Sequence, residues 1–236
     1  MTHVWGHRGA SGHAPENTLD AFAAAMKVGA AGIELDVHLS ADGRVVVIHD
    51  DTLDRTCGVP GTVAAMAAAD LVSTSAANGM KAFPDARIPL LDEVFDLVAG
   101  TSTIVNIELK GQQPELPDTV HRIVRDRGAS DCVVYSSFNH YHLRALQDLG
   151  AASPVGVLID QPLFEPWEYV ASLGAEALHP PYPLLALPGL VTQCHRRGIA
   201  VNVWTPDTPV QWEQARALGV DAVITNHPAA AVGVLS

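Results

Sequence analysis

Three carboxylates occupy matching positions in two short apolar segments of the chain. Glu34 and Asp36 lie two residues apart in IELDVHL, and Glu108 precedes Lys110 by the same spacing in NIELK. Residues two apart on a strand point to one face and lie roughly 6.6 Å apart. If the two strands are neighbours, the three carboxylates can converge, and hard oxygen ligands of this kind suit Mg²⁺ or Ca²⁺. A strand with one solvated polar face would show the same alternation.

Imidazole and cationic side chains flank these acidic segments. His7 and Arg8 lie in HRGASGHAPENT, and His49 follows the apolar run VVVI. Arg8 and Lys110 can bind phosphate oxygens, and the planar guanidinium of arginine matches phosphate geometry. Two imidazoles with an ordinary pKa of about 6.5 can donate and accept protons near neutral pH. A divalent cation, two further cations and an imidazole pair are together typical of a site for phosphoryl chemistry.

The elements that position these residues follow one repeated pattern. A helical stretch that ends in Gly precedes a short apolar run seven times, because glycine terminates helices readily. With the opening HVWGH, the pattern predicts strands at residues 3–7, 32–38, 103–109, 132–136, 155–159, 176–179, 200–204 and 221–225. Eight strand-helix units favour a (β/α)8 TIM barrel. A doubly wound sheet is the alternative, and it is disfavoured because no GxGxxG motif follows the first strand.

One segment interrupts the alternation. Residues 41–89 contain a tight Asp42-Gly43 turn, an apolar run and a long small-residue connection, so we interpret them as a small insertion after the second strand of a single 1–236 domain. The loops that follow barrel strands build the catalytic face. The insertion is therefore expected to carry His49 back towards Glu34 and Asp36.

Composition limits the function classes. The chain has 236 residues and a formal net charge of −12, which disfavours binding to nucleic acid or anionic lipid. Its three cysteines are odd in number and widely spaced, which indicates reduced thiols and a cytoplasmic setting. The chain has neither a signal-peptide pattern nor an apolar run of the ~18 residues that a membrane span needs. A small-molecule substrate fits best, and no feature of the sequence indicates an oligomeric state.

The motifs resemble those of the glycerophosphodiester phosphodiesterase family. The resemblance is carried by HRGASGHAPENT, ELDVHLSADGRVVVIHDDTLDRTCG and NIELK, and weaker landmarks continue in IPLLDEVF, SSFNH, VNVWT and VITNHP. It implies a metal-dependent barrel that hydrolyses glycerophosphodiesters to glycerol 3-phosphate and an alcohol. The cofactor would be one divalent cation, Mg²⁺ or Ca²⁺.

The resemblance also implies individual roles. The acid/base pair would be His7 and His49, the metal ligands Glu34, Asp36 and Glu108, and the phosphate-binding cations Arg8 and Lys110. Three further residues would contact the substrate or support the catalytic residues. Glu16 would lie beside Arg8 or the metal, and the other two are Trp204 and Phe138. Packing at the rim is the alternative role for Trp204. The sequence does not decide which histidine is the acid and which is the base. It also does not decide whether water or a neighbouring glycerol hydroxyl attacks the phosphorus.

Two departures from the family pattern are expected to affect substrate preference more than chemistry. Where the family usually has Val-Asn after Trp-Thr and Thr-Asp at the last strand, this chain has Thr205-Pro206-Asp207 and Thr225-Asn226. Two other functions remain on the same barrel, a phospholipase of the C or D type and a non-catalytic phosphodiester-binding protein. The phospholipase would need an apolar rim. His38 and His140 lie at strand ends, where we interpret them as structural rather than as ligands.

Overall fold

Eight parallel strands close into a barrel in the computed structural model, which describes residues 1–235. Strand β1 pairs in parallel with both β2 and β9, so the sheet has no open end at that point. The strands are β1 His3–Gly6, β2 Gly32–Leu39, β3 Val45–Val47, β4 Ile104–Leu109, β5 Val133–Ser137, β6 Val155–Leu158, β7 Ala177–His179, β8 Ala200–Trp204 and β9 Ala222–Thr225. All but β3 belong to the barrel. The predicted TIM barrel is confirmed, and the doubly wound alternative is wrong.

Helices connect successive strands. They are α1 Leu19–Lys27, α2 Asp54–Cys57, α3 Ala68–Ser73, α4 Leu91–Val98, α5 Leu116–Asp126, α6 His140–Asp148, α7 Pro166–Ser172, α8 Leu190–His195, α9 Pro209–Leu218 and α10 Pro228–Leu235. In α5 the buried Leu116, Val120 and Val124 recur every fourth residue and form one apolar stripe. Burying each such side chain stabilises the fold by roughly 1.5–3 kcal/mol. Within residues 1–235, no helix has the length and apolar character needed to cross a bilayer.

Both faces of β2 are buried, which decides how its acidic residues are placed. Ile33, Leu35 and Val37 belong to the main hydrophobic core, whereas Glu34 and Asp36 alternate with them and are 3 % and 1 % exposed. Because successive strand residues point to opposite faces, the acids lie on the face away from that core set. The interpretation of a solvated polar face is therefore wrong. These carboxylates are buried, so they require compensating charge.

The segment between β2 and α4 folds back along the barrel. Strand β3 pairs antiparallel with β2, and the Ile48 N–H donates to the Asp36 carbonyl at 3.0 Å. The segment has its own apolar cluster, which includes Val46, Leu53 and Leu71. The residue after Ile48 therefore lies beside the acidic residues of β2, as an extension of an anchored strand.

Candidate active site

One pocket in the barrel gathers the predicted chemistry-bearing residues. Its lining includes His7, Arg8, Glu34, His49, Glu108, Lys110, Phe138 and Trp204. Several of these follow directly on β1, β4 and β5, where parallel strands of the barrel end. Asp36 lies beside Glu34 in the acidic cluster, and Glu16 reaches the pocket through Arg8. All ten predicted site residues therefore belong to one neighbourhood.

Glu34, Asp36 and Glu108 form a buried acidic cluster. Asp36 is the direct partner of Glu108 in the register of β2 and β4, and one oxygen from each of the three carboxylates lies within 4.8 Å of the others. Glu34 Oε1 and Asp36 Oδ1 are buried and have no hydrogen-bond partner among residues 1–235. Unsatisfied carboxylate oxygens at this depth are energetically costly.

The pKa values of the cluster reflect this crowding. Burial and the nearby charges of Asp36 and Glu108 raise the pKa of Glu34 well above its ordinary value. Burial and the charge of Asp36 raise the pKa of Glu108 to about 7. Burial opposes the charge of Asp36 as well, but the cations Arg8 and Lys110 and the hydrogen bond from Asn17 contribute to lowering that pKa. If all three acids were ionised, the cluster would therefore carry more negative charge than its surroundings stabilise.

The donor set of the cluster fits a divalent cation. Three carboxylates are hard oxygen ligands, which Mg²⁺ and Ca²⁺ prefer over the nitrogen and sulfur ligands typical of zinc. The two unpartnered oxygens, Glu34 Oε1 and Asp36 Oδ1, are the kind of atom that a cation satisfies. The cluster can therefore hold a metal ion.

His7 is held at one nitrogen and directs the other towards the acids. Its Nδ1 lies 2.7 Å from Asn226 Oδ1, which can only accept, so Nδ1 carries the hydrogen. Its Nε2 lies 4.0 Å from Glu34 Oε2. Burial, followed by the charge of Arg8, lowers the pKa of His7. The imidazole therefore favours its neutral form, with the lone pair of Nε2 available near the cluster.

His49 lies between a carboxylate and an ammonium group. Its Nδ1 donates to Asp50 Oδ1 at 2.6 Å, and its Nε2 lies 3.1 Å from Lys110 Nζ. Lys110 Nζ also contacts Glu108 Oε1 at 3.0 Å. Burial opposes the charge of Lys110, but Glu108 and Asp36 outweigh it and raise the pKa of the ammonium group. Lys110 therefore remains a cation between the second histidine and the acidic cluster.

Arg8 connects the first loop to the cluster. It has a positive φ of 54°, which is uncommon outside glycine, and its main-chain N–H donates to Glu34 Oε2 at 2.8 Å. Its side chain donates to Glu16 Oε1 at 2.8 Å, and its Nε lies 3.4 Å from Asp36 Oδ2. Burial disfavours the guanidinium charge, but Asp36 and Glu34 outweigh burial and raise its pKa. Arg8 is thus a fixed, permanently charged group.

Sequence reasoning missed Arg55, which joins the two halves of the site. Its guanidinium donates twice to Asp50, at 2.7 and 3.0 Å, and twice to Glu16, at 2.7 and 2.8 Å. Asp50 in turn accepts from His49, and Glu16 accepts from Arg8. Arg55 therefore links the supports of a histidine and an arginine. The signal in the sequence was its place in HDDTLDRT, six residues after His49.

Asn17 was also missed as a site residue. The next residue, Thr18, caps α1 by accepting from the Ala21 N–H at 3.3 Å. Asn17 instead donates from Nδ2 to Asp36 Oδ2 at 2.8 Å and accepts from the Asp36 N–H at 3.3 Å. It therefore fixes the carboxylate of Asp36 through Oδ2, whereas Oδ1 has no hydrogen-bond partner among residues 1–235.

An aromatic wall borders the pocket. Phe138 and Trp204 meet edge to face with their ring centroids 5.8 Å apart, and Lys110 Nζ lies 5.7 Å from the Phe138 centroid. Trp204 Nε1 donates to the His179 carbonyl at 2.9 Å, which fixes the indole. Phe138 is 41 % exposed, so one face of its ring remains available to a ligand.

Two other histidines near strand ends are engaged elsewhere. His38 is buried, with Nε2 3.1 Å from the His49 carbonyl and Nδ1 3.5 Å from Asp51. His140 lies 2.7 Å from the Tyr169 hydroxyl and 2.9 Å from the Leu158 carbonyl. Both ring nitrogens of each histidine therefore have partners outside the acidic cluster.

Residues 7–230 match the Glycerophosphoryl diester phosphodiesterase family, which covers nearly the whole chain and every residue of the site described above. The chain belongs to this family. The family assignment makes it a phosphoric diester hydrolase, and the (β/α)8 fold is the one that its solved relatives share.

Named relatives support the same assignment. A glycerophosphodiester phosphodiesterase from Caldanaerobacter subterraneus subsp. tengcongensis is 38 % identical over 233 residues, covering 96 % of this chain and 95 % of the relative. The crystal structure of glycerophosphodiester phosphodiesterase from Agrobacterium tumefaciens is 29 % identical, with a TM-score of 0.87 and coverage of 99 % and 100 %. A phosphodiesterase from Oleispira antarctica, solved with the product sn-glycerol-3-phosphate, is 26 % identical, with a TM-score of 0.92 and coverage of 100 % and 97 %.

Proposed function

We propose that this protein hydrolyses glycerophosphodiesters to glycerol 3-phosphate and an alcohol, with one divalent cation, Mg²⁺ or Ca²⁺, at Glu34, Asp36 and Glu108. The observation that carries the proposal is the buried acidic cluster with a histidine on each of two converging loops. The product in the Oleispira antarctica relative supports the glycerol side of the reaction.

The cations of the site have a binding role in this proposal. Arg8 and Lys110 flank the acidic cluster and supply local positive charge in a chain whose net charge is −12. They would bind the nonbridging phosphate oxygens and orient the phosphorus for in-line attack. A bound divalent cation would add neutralisation of the charge that develops on those oxygens.

The two histidines would divide the proton transfers. Hydrolysis requires a proton to leave the attacking oxygen and another to reach the departing alkoxide. His7 has its Nδ1 hydrogen fixed by Asn226, and His49 has its own fixed by Asp50, so each ring exchanges protons through Nε2. This arrangement is compatible with attack by water and with attack by a neighbouring glycerol hydroxyl. It is also compatible with either histidine as the acid and the other as the base.

The surroundings support a wider set of proposals. We propose that residues 1–236 act as one domain, with residues 41–89 as an insertion that supplies His49, Asp50 and Arg55. All three cysteines are unpaired thiols, which supports a reducing, cytoplasmic setting. Phe138 and Trp204 would pack against the carbon edge of a small glycerol-containing substrate.

A second candidate is a phospholipase-type phosphodiesterase, because the rim exposes several apolar side chains. Phe138 and Tyr141 are exposed after β5. The loop after β6 adds Leu163 and Phe164, and Phe164 is 93 % exposed. Leu163 lines a surface groove together with Phe138. These side chains would suit an acyl chain extending from the pocket.

One assay tests the proposed function. Glycerol 3-phosphate release should be measured on glycerophosphocholine, glycerophosphoethanolamine and glycerophosphoglycerol. For the acyl-chain candidate, release of choline or phosphocholine should be measured on lysophosphatidylcholine. We expect turnover of the unacylated diesters with added Mg²⁺ or Ca²⁺ and its loss in EDTA. Tight binding of these diesters without product would instead support a non-catalytic binding protein. Turnover restricted to the acylated substrate would support the phospholipase.

Replacing Arg8 by Lys is expected to lower kcat/KM substantially although the positive charge is kept. A single ammonium cannot reproduce the planar fork, and a charged hydrogen bond contributes roughly 1.5–3 kcal/mol, which corresponds to a roughly 10- to 100-fold loss. The matched control is Arg44→Lys, since Arg44 is an exposed residue beside the β2–β3 turn. If the Arg8 variant kept the wild-type kcat/KM, Arg8 would not bind the phosphate through its fork and would act only as a distant positive charge.

A further inference from the structure

Asp207 gathers three hydrogen bonds from the end of the last barrel strand. It lies in the loop between β8 and α9, and its Oδ1 accepts from Thr225 Oγ1 at 2.8 Å and from the Asn226 N–H at 2.9 Å. Its Oδ2 accepts from Asn226 Nδ2 at 2.6 Å. Both oxygens of this carboxylate are therefore used to fix the backbone and the side chain of a single neighbour, Asn226.

These contacts determine which way the Asn226 amide faces. A carboxylate can only accept, so the side of the amide that meets Asp207 must be the donor Nδ2. The acceptor Oδ1 then faces His7, whose Nδ1 lies 2.7 Å away. A reversed amide would place Oδ1 against the carboxylate and Nδ2 against the ring. Asp207 thereby selects the neutral form of His7 that has its hydrogen on Nδ1.

Ser11 completes the arrangement without contributing a charge. Its Oγ lies 2.7 Å from the His7 carbonyl and 2.7 Å from Asn226 Oδ1, so its one hydrogen serves either acceptor. Asn226 Oδ1 is therefore surrounded by groups that can donate to it. The ring of His7 is fixed through a neutral amide, whereas His49 is fixed directly by the carboxylate of Asp50.

We propose that Asp207 is a positioning residue for the hydrolytic reaction, which acts through Asn226 to fix the tautomer and direction of His7. With the hydrogen on Nδ1, the free Nε2 is the nitrogen that faces Glu34, at 4.0 Å from its Oε2. Groups that orient a metal-bound imidazole through its second nitrogen typically change affinity or activity by roughly 10- to 100-fold, and we expect the same scale for the reacting imidazole of His7. The inference rests on the proposed role of His7 in the reaction.

Asp207→Asn should lower kcat by roughly 10- to 100-fold, with KM changed by less than about threefold. Asparagine at 207 can present either an acceptor or a donor, so the Asn226 amide is no longer held in one orientation. Asn226→Asp should be similarly impaired, because two carboxylates would then face each other at hydrogen-bond distance.

The exchanged double variant Asp207→Asn/Asn226→Asp provides the decisive rescue. Asparagine at 207 would accept from Thr225 Oγ1 and the residue-226 N–H through Oδ1 and donate from Nδ2 to the new aspartate. That aspartate would still accept from His7 Nδ1. We expect kcat to recover to within about fivefold of wild type, whereas a loss equal to the combined single variants would overturn the proposal.

Nitrogen NMR on histidine-labelled, Mg²⁺-loaded protein tests the tautomer independently of turnover. At alkaline pH the His7 signals, assigned with a His7→Gln variant, should show a protonated Nδ1 in wild type and in the exchanged variant, and a tautomer mixture in Asp207→Asn. The control is Asp221→Asn, which removes a carboxylate that bridges Val201 and His195 near the same strands. It should leave both kcat and the His7 signals unchanged.

The outcomes separate this inference from the proposed function. If wild type released no glycerol 3-phosphate, the function would fail while the NMR comparison still decided the role of Asp207. If Asp207→Asn does not fold, the exchanged variant and Asn226→Asp provide the same comparison. Wild-type kcat together with an unchanged Nδ1-protonated signal in Asp207→Asn would overturn the inference.

Discussion

Glu108→Gln is expected to abolish most hydrolysis at low metal concentration and to regain part of it in excess Mg²⁺ or Ca²⁺. The substitution keeps the shape of the side chain but removes one of three charges that lie within 4.8 Å of one another. A catalytic divalent cation supplies several kcal/mol of transition-state stabilisation, so its loss corresponds to a roughly 10²- to 10³-fold decrease in kcat. Kinetics over a metal titration measure both the loss and the rescue.

The affinity for the cation should also depend on pH, with a sign set by the cluster. Without metal, the pKa of Glu108 is raised to about 7 by burial and by Asp36. A protonated carboxyl is a poor ligand, so protons compete with the cation below that pH. We expect the apparent affinity measured by titration calorimetry to fall as pH decreases through about 7. Proton release on binding, measured in buffers of different ionisation enthalpy, should accompany it.

Glu213→Gln is the matched control, because Glu213 is exposed on α9 and lies outside the pocket. It should retain wild-type activity and metal dependence. Activity that survives exhaustive EDTA treatment in the wild-type protein would contradict metal-dependent hydrolysis. Wild-type metal affinity in Glu108→Gln would instead remove Glu108 alone from the ligand set.

The barrel could be predicted from the sequence because its signals are local. Most barrel strands are largely buried on both sides, so they contain short apolar runs, and glycine ends the helix before seven of these runs. The predicted strands at 32–38 and 200–204 correspond to Gly32–Leu39 and Ala200–Trp204. Local propensity and fold agree at these positions.

The acidic cluster could be predicted because strand periodicity places Glu34 and Asp36 on one face. The actual convergence depends on the register of β2 and β4, which sets Asp36 opposite Glu108. Register is determined by packing across the whole sheet rather than by either segment. Sequence periodicity therefore identified the ligands as candidates, and the closed sheet determined their distances.

Apart from the pairing of Glu16 with Arg8, the supporting polar contacts could not be predicted, because they join segments whose approach depends on loop paths. Arg55 reaches Glu16, 39 positions earlier in the chain, and Asn226 reaches His7, 219 positions earlier. Asp207, in the β8–α9 loop, accepts a hydrogen bond from Asn226, which follows β9. Each pair consists of ordinary surface-type residues with no periodicity of their own. The pairing of β1 with β9, which closes the barrel, brings the two ends of the chain together.

His7→Ala and His49→Ala are each expected to lower kcat by roughly 10²- to 10⁴-fold, the usual contribution of a general acid or base. Metal and substrate binding should be largely retained, because the carboxylates and the cations Arg8 and Lys110 remain. Steady-state kinetics on an unactivated glycerophosphodiester, with calorimetry for metal binding, measure the two effects separately.

The pH dependence should identify the role of each histidine. The base must be unprotonated and the acid protonated, so kcat should rise and then fall with increasing pH. Each single variant should lose one limb of this bell. Burial and Arg8 lower the pKa of His7, so its limb should lie below the ordinary histidine pKa. If His7 is the base, the limb lost in His7→Ala is the rising one.

An activated leaving group separates acid from base without reference to pH. A p-nitrophenyl diester releases a stable phenolate that needs little protonation, so it should rescue the variant that lost the acid and leave the other impaired. His3→Ala is the control, because His3 begins the strand after which His7 lies but is exposed at its far end. If both His7→Ala and His49→Ala kept near wild-type turnover on the unactivated diester, two-histidine catalysis would be wrong. A non-catalytic binding role would not explain that result either, since turnover itself would persist and some other group in the pocket would have to move both protons.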